Sequence, residues 1–254
     1  MEKIKGKIEN EIIKAMSYNV FIGDQTDERH DAVGDMIEKY MPDVLGVQEA
    51  DIRWMKYISN RFPVYAYAGE GRDGGEKGEY SAVFYRKDKF KLIEAATKWL
   101  SDTPDIVSKV SESSLNRVLS YAVLERLSDS KRFVHVNTHF EHTNDISREK
   151  QSEVLAKIVK GFEYPVLLTG DFNTEAGTKA YLNVLNSGVT DSAQIADHAD
   201  ITATFHGYSS VNTTIDFCFV TAENIAVSEY KVCAEKFGGR YPSDHHPVYI
   251  EFVM

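Results

Sequence analysis

Cysteine, basic charge and long apolar runs are all in short supply. The 254 residues include two cysteines, Cys218 and Cys233, in apolar, strand-like surroundings with no histidine or second cysteine at metal-ligand spacing. Both read as buried thiols rather than as a disulfide. No HExxH and no CxxC occurs, which removes the common argument for zinc. Acids outnumber bases, 39 Asp and Glu against 29 Lys and Arg, for a formal net charge of −10. The molecule as a whole therefore does not draw in polyanions such as duplex nucleic acid or an anionic membrane. The opening segment, MEKIKGKIENEIIKAM, is interrupted by charges throughout and offers no stretch fit for a signal peptide or a membrane span. A cytoplasmic setting is the expectation.

Also missing are a repeat of roughly 20 to 50 residues, a low-complexity tract and a linker rich in Pro, Gly or Ser. The whole chain, 1–254, is expected to be a single domain. Material for a core is ample, with 43% hydrophobic residues, 14 Tyr and 13 Phe. Helical spacing shows in Val33, Met36, Ile37 and Tyr40, in Trp54, Met55, Ile58 and Phe62, in Val154, Leu155, Ile158 and Val159, and in Tyr181, Leu182 and Leu185 before Gly188. Strand-like runs are more numerous: AMSYNVF, DVLGVQE, VYAYA, YSAVFYR, RVLSYAVLERL, RFVHVNTH, VLLTGDFN, TIDFCFV, AVSEYKV and PVYIEFV. Several follow one another directly, so the pattern favours an α/β fold of two mainly antiparallel sheets face to face, flanked by helices. Two stretches, 69–79 and 101–116, read as long loops of the kind that often serve function.

Polar groups sit at the ends of the apolar runs. Asn19 follows Ala15, Met16 and Tyr18; Glu49 closes DVLGVQE; His139 closes RFVHVNTH; Asp171 and Asn173 close VLLTG; Asp216 heads DFCFV; Asp244 and His245 open onto PVYIEFV. One such residue is ordinary turn chemistry. A set of complementary types is different, because a sheet sandwich brings strand ends to a common rim.

Clustered acids repel one another and so demand raised pKa values or a cation. Glu49, Asp244 and the amide oxygen of Asn19 are hard ligands, suited to Mg²⁺ or Mn²⁺. Such a cation polarises a phosphoryl oxygen and lets an anionic substrate approach. His139 and His245 could then donate to non-bridging oxygens, given a carboxylate that keeps each imidazole oriented and protonated. Asp216 is the natural orienter for His245. Asp171 and Asn173, if the chain is extended there, point to the same side and could activate and hold a water.

The ordered series SYN (17–19), GVQEA (46–50), VNTHFEH (136–142), LLTGDFNT (167–174), TIDFCFV (214–220) and RYPSDHHPV (240–248) resembles the endonuclease/exonuclease/phosphatase superfamily. The resemblance implies a four-layered α/β sandwich and Mg²⁺-dependent phosphoester hydrolysis without a covalent intermediate. It places Glu49 and Asn19 at the metal with Asp244 nearby, Asp171 on the water with Asn173 assisting, and His139 and the Asp216–His245 pair on the phosphoryl group. GRDGGEKGEYSAVFY (71–85), WLSDTP (99–104), NRVLSYAVL (116–124) and ATFHGY (203–208) look like a bacterial subgroup. By that similarity Arg117 contacts substrate or phosphate; read plainly, it is a solvated residue at a strand start. His206 and the 71–79 loop either line the pocket or are a lone histidine and a polar turn. Arg72 and Lys77 are offset by Asp73, Glu76 and Glu79, and without a GK[ST] ending the loop is no P-loop. His246 packs or faces solvent, and His30, His135, His142 and His198 suggest no role.

The leading expectation is thus a Mg²⁺ (or Mn²⁺) dependent phosphoesterase acting on a small or modest phosphorylated molecule. A nuclease or RNA-processing enzyme with the same chemistry is the alternative, although the basic stripe and the aromatic and basic interleaving it needs are absent. A binding protein that kept the fold and lost the reaction is a third, against which the full set of site residue types speaks.

Overall fold

The computed structural model describes residues 11–254; most of the opening segment, MEKIKGKIENEIIKAM, lies outside them. In chain order the elements are β1 (Ile13–Asn19), α1 (Asp27–Tyr40), β2 (Val44–Ala50), α2 (Ile52–Arg61), β3 (Tyr65–Ala68), β4 (Tyr80–Arg86), β5 (Phe90–Trp99), β6 (Val118–Arg126) and β7 (Arg132–His139). There follow α3 (Asp145–Lys160), β8 (Val166–Asp171), α4 (Lys179–Leu185), β9 (Thr190–Asp191), α5 (Ser192–Ile195), β10 (His198–Asp200), β11 (Asp216–Val220), β12 (Ala226–Val232) and β13 (Val248–Val253). One sheet has seven strands in the order β10-β12-β13-β1-β2-β4-β3, the other six in the order β5-β6-β7-β8-β11-β9. Neighbours run antiparallel except β1 with β2, β7 with β8 and β10 with β12, which are parallel.

Period-two alternation sorts the strand residues into three apolar layers. Ile13 and Ala15 of β1, Val44 of β2, Phe133 of β7, Leu167 of β8 and Val220 of β11 meet between the sheets. Their odd-and-even partners face outward. Met16, Tyr18, Leu45 and Val47 pack under Val33, Met36 and Ile37 of α1 and Trp54, Met55 and Ile58 of α2. Val134, Val136, Leu168 and Phe219 pack under Leu155 and Val159 of α3 and Tyr181 and Val184 of α4. The four-layered α/β sandwich is therefore what the molecule builds. Each of these four helices is started by a side chain that accepts first-turn N–H groups: Thr26, Asp51, Asn144 and Thr178.

The short elements β9, α5 and β10 are not among the expected ones, and two longer segments also differ from the sequence expectation. Strand β5 is not among the strand-like runs, because it is an edge strand with most side chains half or fully exposed and so carries no clean apolar alternation. Leu182, placed on the apolar face of its helix by spacing, is exposed, while Tyr181 and Val184 do the packing. Both cysteines are free and buried, as expected. Among the described residues no helix is long and apolar enough to cross a membrane.

Candidate active site

The register of the second sheet sets the centre of the site. His139 at the end of β7 lies opposite Asp171 at the end of β8, and Asp171 lies opposite Asp216 at the start of β11, so one row across adjacent strands carries an imidazole and two carboxylates. All three continue the inward-facing series of their strands, as Asn19 does on β1. Asn19 donates Nδ2–H to Asp171 Oδ2 at 2.9 Å and to Glu49 Oε1 at 3.1 Å. The amide oxygen, expected to face a cation, accepts from the Phe21 N–H at 2.9 Å. With two carboxylates on one side and an N–H on the other, only this orientation satisfies the amide.

Glu49 reaches the site by breaking the alternation. Leu45 and Val47 face α1 and α2, and Glu49 would follow them outward. Instead the register shifts between Val47 and Ala50, and Glu49 takes φ 57°, in the left-handed region. A bulge of this kind re-aims one side chain at a cost in backbone strain. The Glu49 carboxylate is also held by the Ile22 N–H at 2.9 Å.

His245 comes from the segment preceding β13. Its Nδ1 lies 2.8 Å from Asp216 Oδ2 and its Nε2 3.7 Å from Asp171 Oδ2. Ser243 fixes that segment, donating Oγ–H to the Asn19 carbonyl at 2.7 Å and accepting the His245 N–H at 3.2 Å. Burial disfavours charge on His245, but the Asp216 and Asp171 carboxylates outweigh it and raise its pKa to about 10. The other histidine behaves oppositely. His139 Nε2 lies 3.4 Å from Asp171 Oδ2, yet burial first, and then the Arg117 and Arg72 guanidiniums, hold it well below its ordinary value. The two imidazoles thus differ: neighbouring carboxylates favour charge on His245, whereas burial and the two guanidiniums oppose it on His139. Asp171 is held above the usual carboxylate range by burial and by Asp216, and Asp244, nearby, is raised by burial and by Glu49 despite the opposing His245.

Asn173 lies beyond the end of β8 at φ 48°, so the extended chain assumed for Asp171 and Asn173 is not what forms. Its backbone N–H instead donates to Asp171 Oδ1 at 2.9 Å, and its side chain donates to the Phe140 carbonyl at 3.1 Å. Ligand-capable atoms of Glu49, His139 and Asp171 lie within 4.8 Å of one another, as do those of Asp171, Asp216 and His245.

The remaining expected residues fall on two flanks. Arg117 is buried beside His139, not solvated, with Nη2 donating to His142 Nδ1 at 2.9 Å. His206 is on the other flank, packed against His246 and Tyr241 with ring centroids 4.5 and 4.7 Å away. These border a cleft of about 1770 Å³ that Phe21 and Tyr208 also line. Phe21 and Tyr208 both have positive φ, 56° and 51°, and meet edge to face at 5.9 Å. The Phe21 loop is tied down by Arg29, whose guanidinium donates to the carbonyls of Val20, Phe21, Gly23, Asp24 and Pro242.

Sequence reasoning passes over several groups. Arg72 is discounted there for its acidic neighbours, but it is half-buried in the notch with Arg117 and His139. Gln48, Asn137 and Thr169 lie in the family motifs, one or two residues before the site residues. They form a polar layer under the site: Gln48 donates to Asn137 Oδ1 at 2.6 Å, Thr169 donates to the same oxygen at 3.0 Å, and Asn137 donates to the Val47 and Ala82 carbonyls at 2.8 and 3.0 Å. The signal that finds them is their inward parity on strands whose other inward residues are apolar.

An imidazole paired with a carboxylate, a second imidazole and further carboxylates around one small space are the equipment of a phosphoric ester hydrolase. Comparison with known proteins agrees: the Endonuclease/Exonuclease/phosphatase family matches residues 16–245, and the chain belongs to it. Among solved structures, a family member from Bacteroides thetaiotaomicron is 29% identical with a TM-score of 0.90, covering 96% of this chain and 98% of that one. A mannosyl-6-phosphatase from the same organism is 30% identical with a TM-score of 0.88, covering 95% and 100%. Tyrosyl-DNA phosphodiesterase 2 of Danio rerio is 22% identical over 273 residues, spanning 98% of this chain and 69% of that protein. The chain is an enzyme that hydrolyses phosphoester bonds.

Proposed function

We propose that this enzyme is a Mg²⁺-dependent hydrolase of small phosphorylated molecules, with Mn²⁺ able to serve the same donors, and that it acts by direct attack of water. The observation that carries the reading is the position of Asp171, with Asn19, His139 and His245 all within 3.7 Å of Asp171 Oδ2. Its carboxylate takes the proton of the attacking water while Asn19 Nδ2–H and Asn173 N–H each hold one of its oxygens. His245, kept charged by Asp216, donates Nε2–H to a phosphoryl oxygen, and His139 offers a second donor.

The donor set fits a hard cation, since buried carboxylates with raised proton affinity are the groups a divalent ion relieves. Glu49 and Asp244 would hold it, with Asn19 contributing through its grip on Glu49. When bound, the cation supplies Lewis-acid polarisation of the phosphoryl oxygens.

A small substrate is supported by the net charge of −10 and by the likeness to a mannosyl-6-phosphatase. The test is phosphate release from a panel of sugar and inositol phosphates, mannose 6-phosphate included. Release is expected with Mg²⁺, is abolished by EDTA and returns on adding Mg²⁺; turnover indifferent to the chelator would refute the metal role. The match to tyrosyl-DNA phosphodiesterase 2 favours a second reading, a nuclease. It predicts oligonucleotide binding that falls steeply with salt, and absence of both binding and cleavage at low salt removes it.

A further inference from the structure

Among the described residues Arg29 bonds to none of the catalytic side chains. Its five side-chain hydrogen bonds all end on carbonyl oxygens, drawn from the two segments next to Asn19 and His245. Nε donates to Asp24 at 2.8 Å, Nη1 to Val20 at 2.6 Å and to Pro242 at 3.2 Å, and Nη2 to Phe21 at 2.6 Å and to Gly23 at 2.5 Å. Every N–H of the guanidinium is thereby spent. Helix α1 sets where the side chain starts, with Thr26 Oγ1 accepting the Arg29 backbone N–H at 3.3 Å. The guanidinium also stands 4.9 Å from the ring centroid of buried Trp54 on α2.

The loop gathered in this way needs a cation to keep its shape. Carbonyl oxygens of residues 20, 21, 23 and 24 converge on one group, and without it their dipoles would face one another across a small space. Phe21 and Asp24 sit at φ 56° and 45°, in the left-handed region that side chains other than glycine rarely occupy. The same backbone carries two N–H groups into the site. Phe21 N–H meets Asn19 Oδ1 at 2.9 Å, which turns the amide so that Nδ2–H reaches Asp171 and Glu49. Ile22 N–H meets Glu49 Oε2 at 2.9 Å, the oxygen that Asn19 leaves free. On the other segment Pro242 precedes Ser243, which grips the Asn19 carbonyl and the His245 N–H. A strap serving stability alone accounts for the five bonds. It does not account for both loop N–H groups ending on Asn19 and Glu49.

We propose that Arg29 is the positioning residue of the cation site: by collecting these carbonyls it fixes the backbone at Phe21 and Ile22, and through it the Glu49 carboxylate and the Asn19 amide. This role rests on the metal-dependent hydrolase reading above and deepens it. The sign of the effect separates positioning from charge. A fixed positive charge this close repels a divalent ion, so charge alone would make Arg29 weaken cation binding. Positioning makes Arg29 strengthen it.

The test titrates Mn²⁺ alone into the metal-free full chain by calorimetry, unaltered and as Arg29→Gln and Arg29→Lys, with near-ultraviolet circular dichroism to show that each is folded. Arg29→Gln is expected to weaken Mn²⁺ binding by about 10- to 100-fold. Arg29→Lys keeps the charge but brings three donors to five carbonyls, and should weaken it by about 10-fold. The Mg²⁺ concentration that gives half-maximal phosphate release should rise by the same factors. Should Arg29→Gln fail to fold, Arg29→Lys carries the comparison. Mn²⁺ affinity unchanged or raised in either folded variant overturns the positioning role, whatever the activity. If both variants lose affinity but the unaltered chain splits no phosphoester, the role stands and the hydrolase reading falls. An unaltered chain that binds no Mn²⁺ takes the cation site and the role down together.

Discussion

Between the sheets, inward-facing positions change character within a few residues of strand. On β8 the series is Leu167, Thr169, Asp171; on β7 it is Phe133, His135, Asn137, His139; on β2 it is Val44, Gly46, Gln48. The register aligns these rows, Ala15 with Val44 and Ser17 with Gly46 in one sheet, Leu167 with Val220 and Asp171 with Asp216 in the other. One end of the inter-sheet space is therefore an apolar core, the other a polar layer capped by carboxylates and imidazoles. The apolar end holds the sheets together by burial. The polar end gives up some of that stability to hold charged groups where water and substrate meet them.

The sharpest separation of the two ends comes from one substitution at each. Asp171→Asn should lower kcat by about 10³-fold or more on any phosphoester the enzyme accepts, read as phosphate release. Its melting temperature should hold or rise, because burial and Asp216 raise the carboxyl's pKa and its charge is a burden to the fold. Phe133→Ala, at the apolar end, should do the reverse. It removes a fully buried ring packed on Phe90 and Phe252 and should cost about 3–5 kcal/mol in denaturant melts, with kcat of the still-folded protein at low temperature nearly intact. A kcat loss in Phe133→Ala as large as that in Asp171→Asn would collapse the distinction.

That division is partly legible in the order of residues alone. Asn19, His139, Asp171 and Asp216 continue the inward parity of their strands, so the ends of the apolar runs are enough to find them. Glu49 has the wrong parity, and only a bulge with a left-handed residue, which no local pattern announces, turns it inward. Arg72 is hidden for another reason: charges adjacent in sequence look as if they cancel, whereas Glu79 binds Arg72 while both are half-buried. The lowered proton affinity of His139 is illegible because neither its burial nor the guanidiniums contributed by distant segments can be read from spacing.

A smaller effect tests the polar layer itself. His135 is fully buried, with Nε2 2.9 Å from Thr169 Oγ1, and burial lowers its pKa to about 3. The unfolded chain takes up this proton near the ordinary value of roughly 6.5, so unfolding binds a proton in the window between the two. Stability is therefore complete above about pH 6.5 and falls as pH drops toward 3, by about 2–3 kcal/mol already at pH 4.5. His135→Gln should flatten that part of the profile in chemical melts across pH 4.5 to 7.5; parallel profiles would show that this imidazole is not the neutral group placed here.

The smallest change falls where the two ends join. Gly46 faces inward between Val44 and Gln48, and a Cβ there would stand 2.3 Å from Thr169 Oγ1 and 2.5 Å from Asn137 Oδ1. Neither atom is free to withdraw, since both belong to the hydrogen-bonded layer that ties β2 to β7 and β8. Gly46→Ala should therefore cost about 1–3 kcal/mol through overpacking. It should also lower kcat, because Asn137 and Thr169 lie one pleat below His139 and Asp171 and a forced shift is passed upward. If only stability falls, the layer is scaffold alone; if both fall together, the polar end of the sandwich behaves as one mechanical unit with its catalytic row.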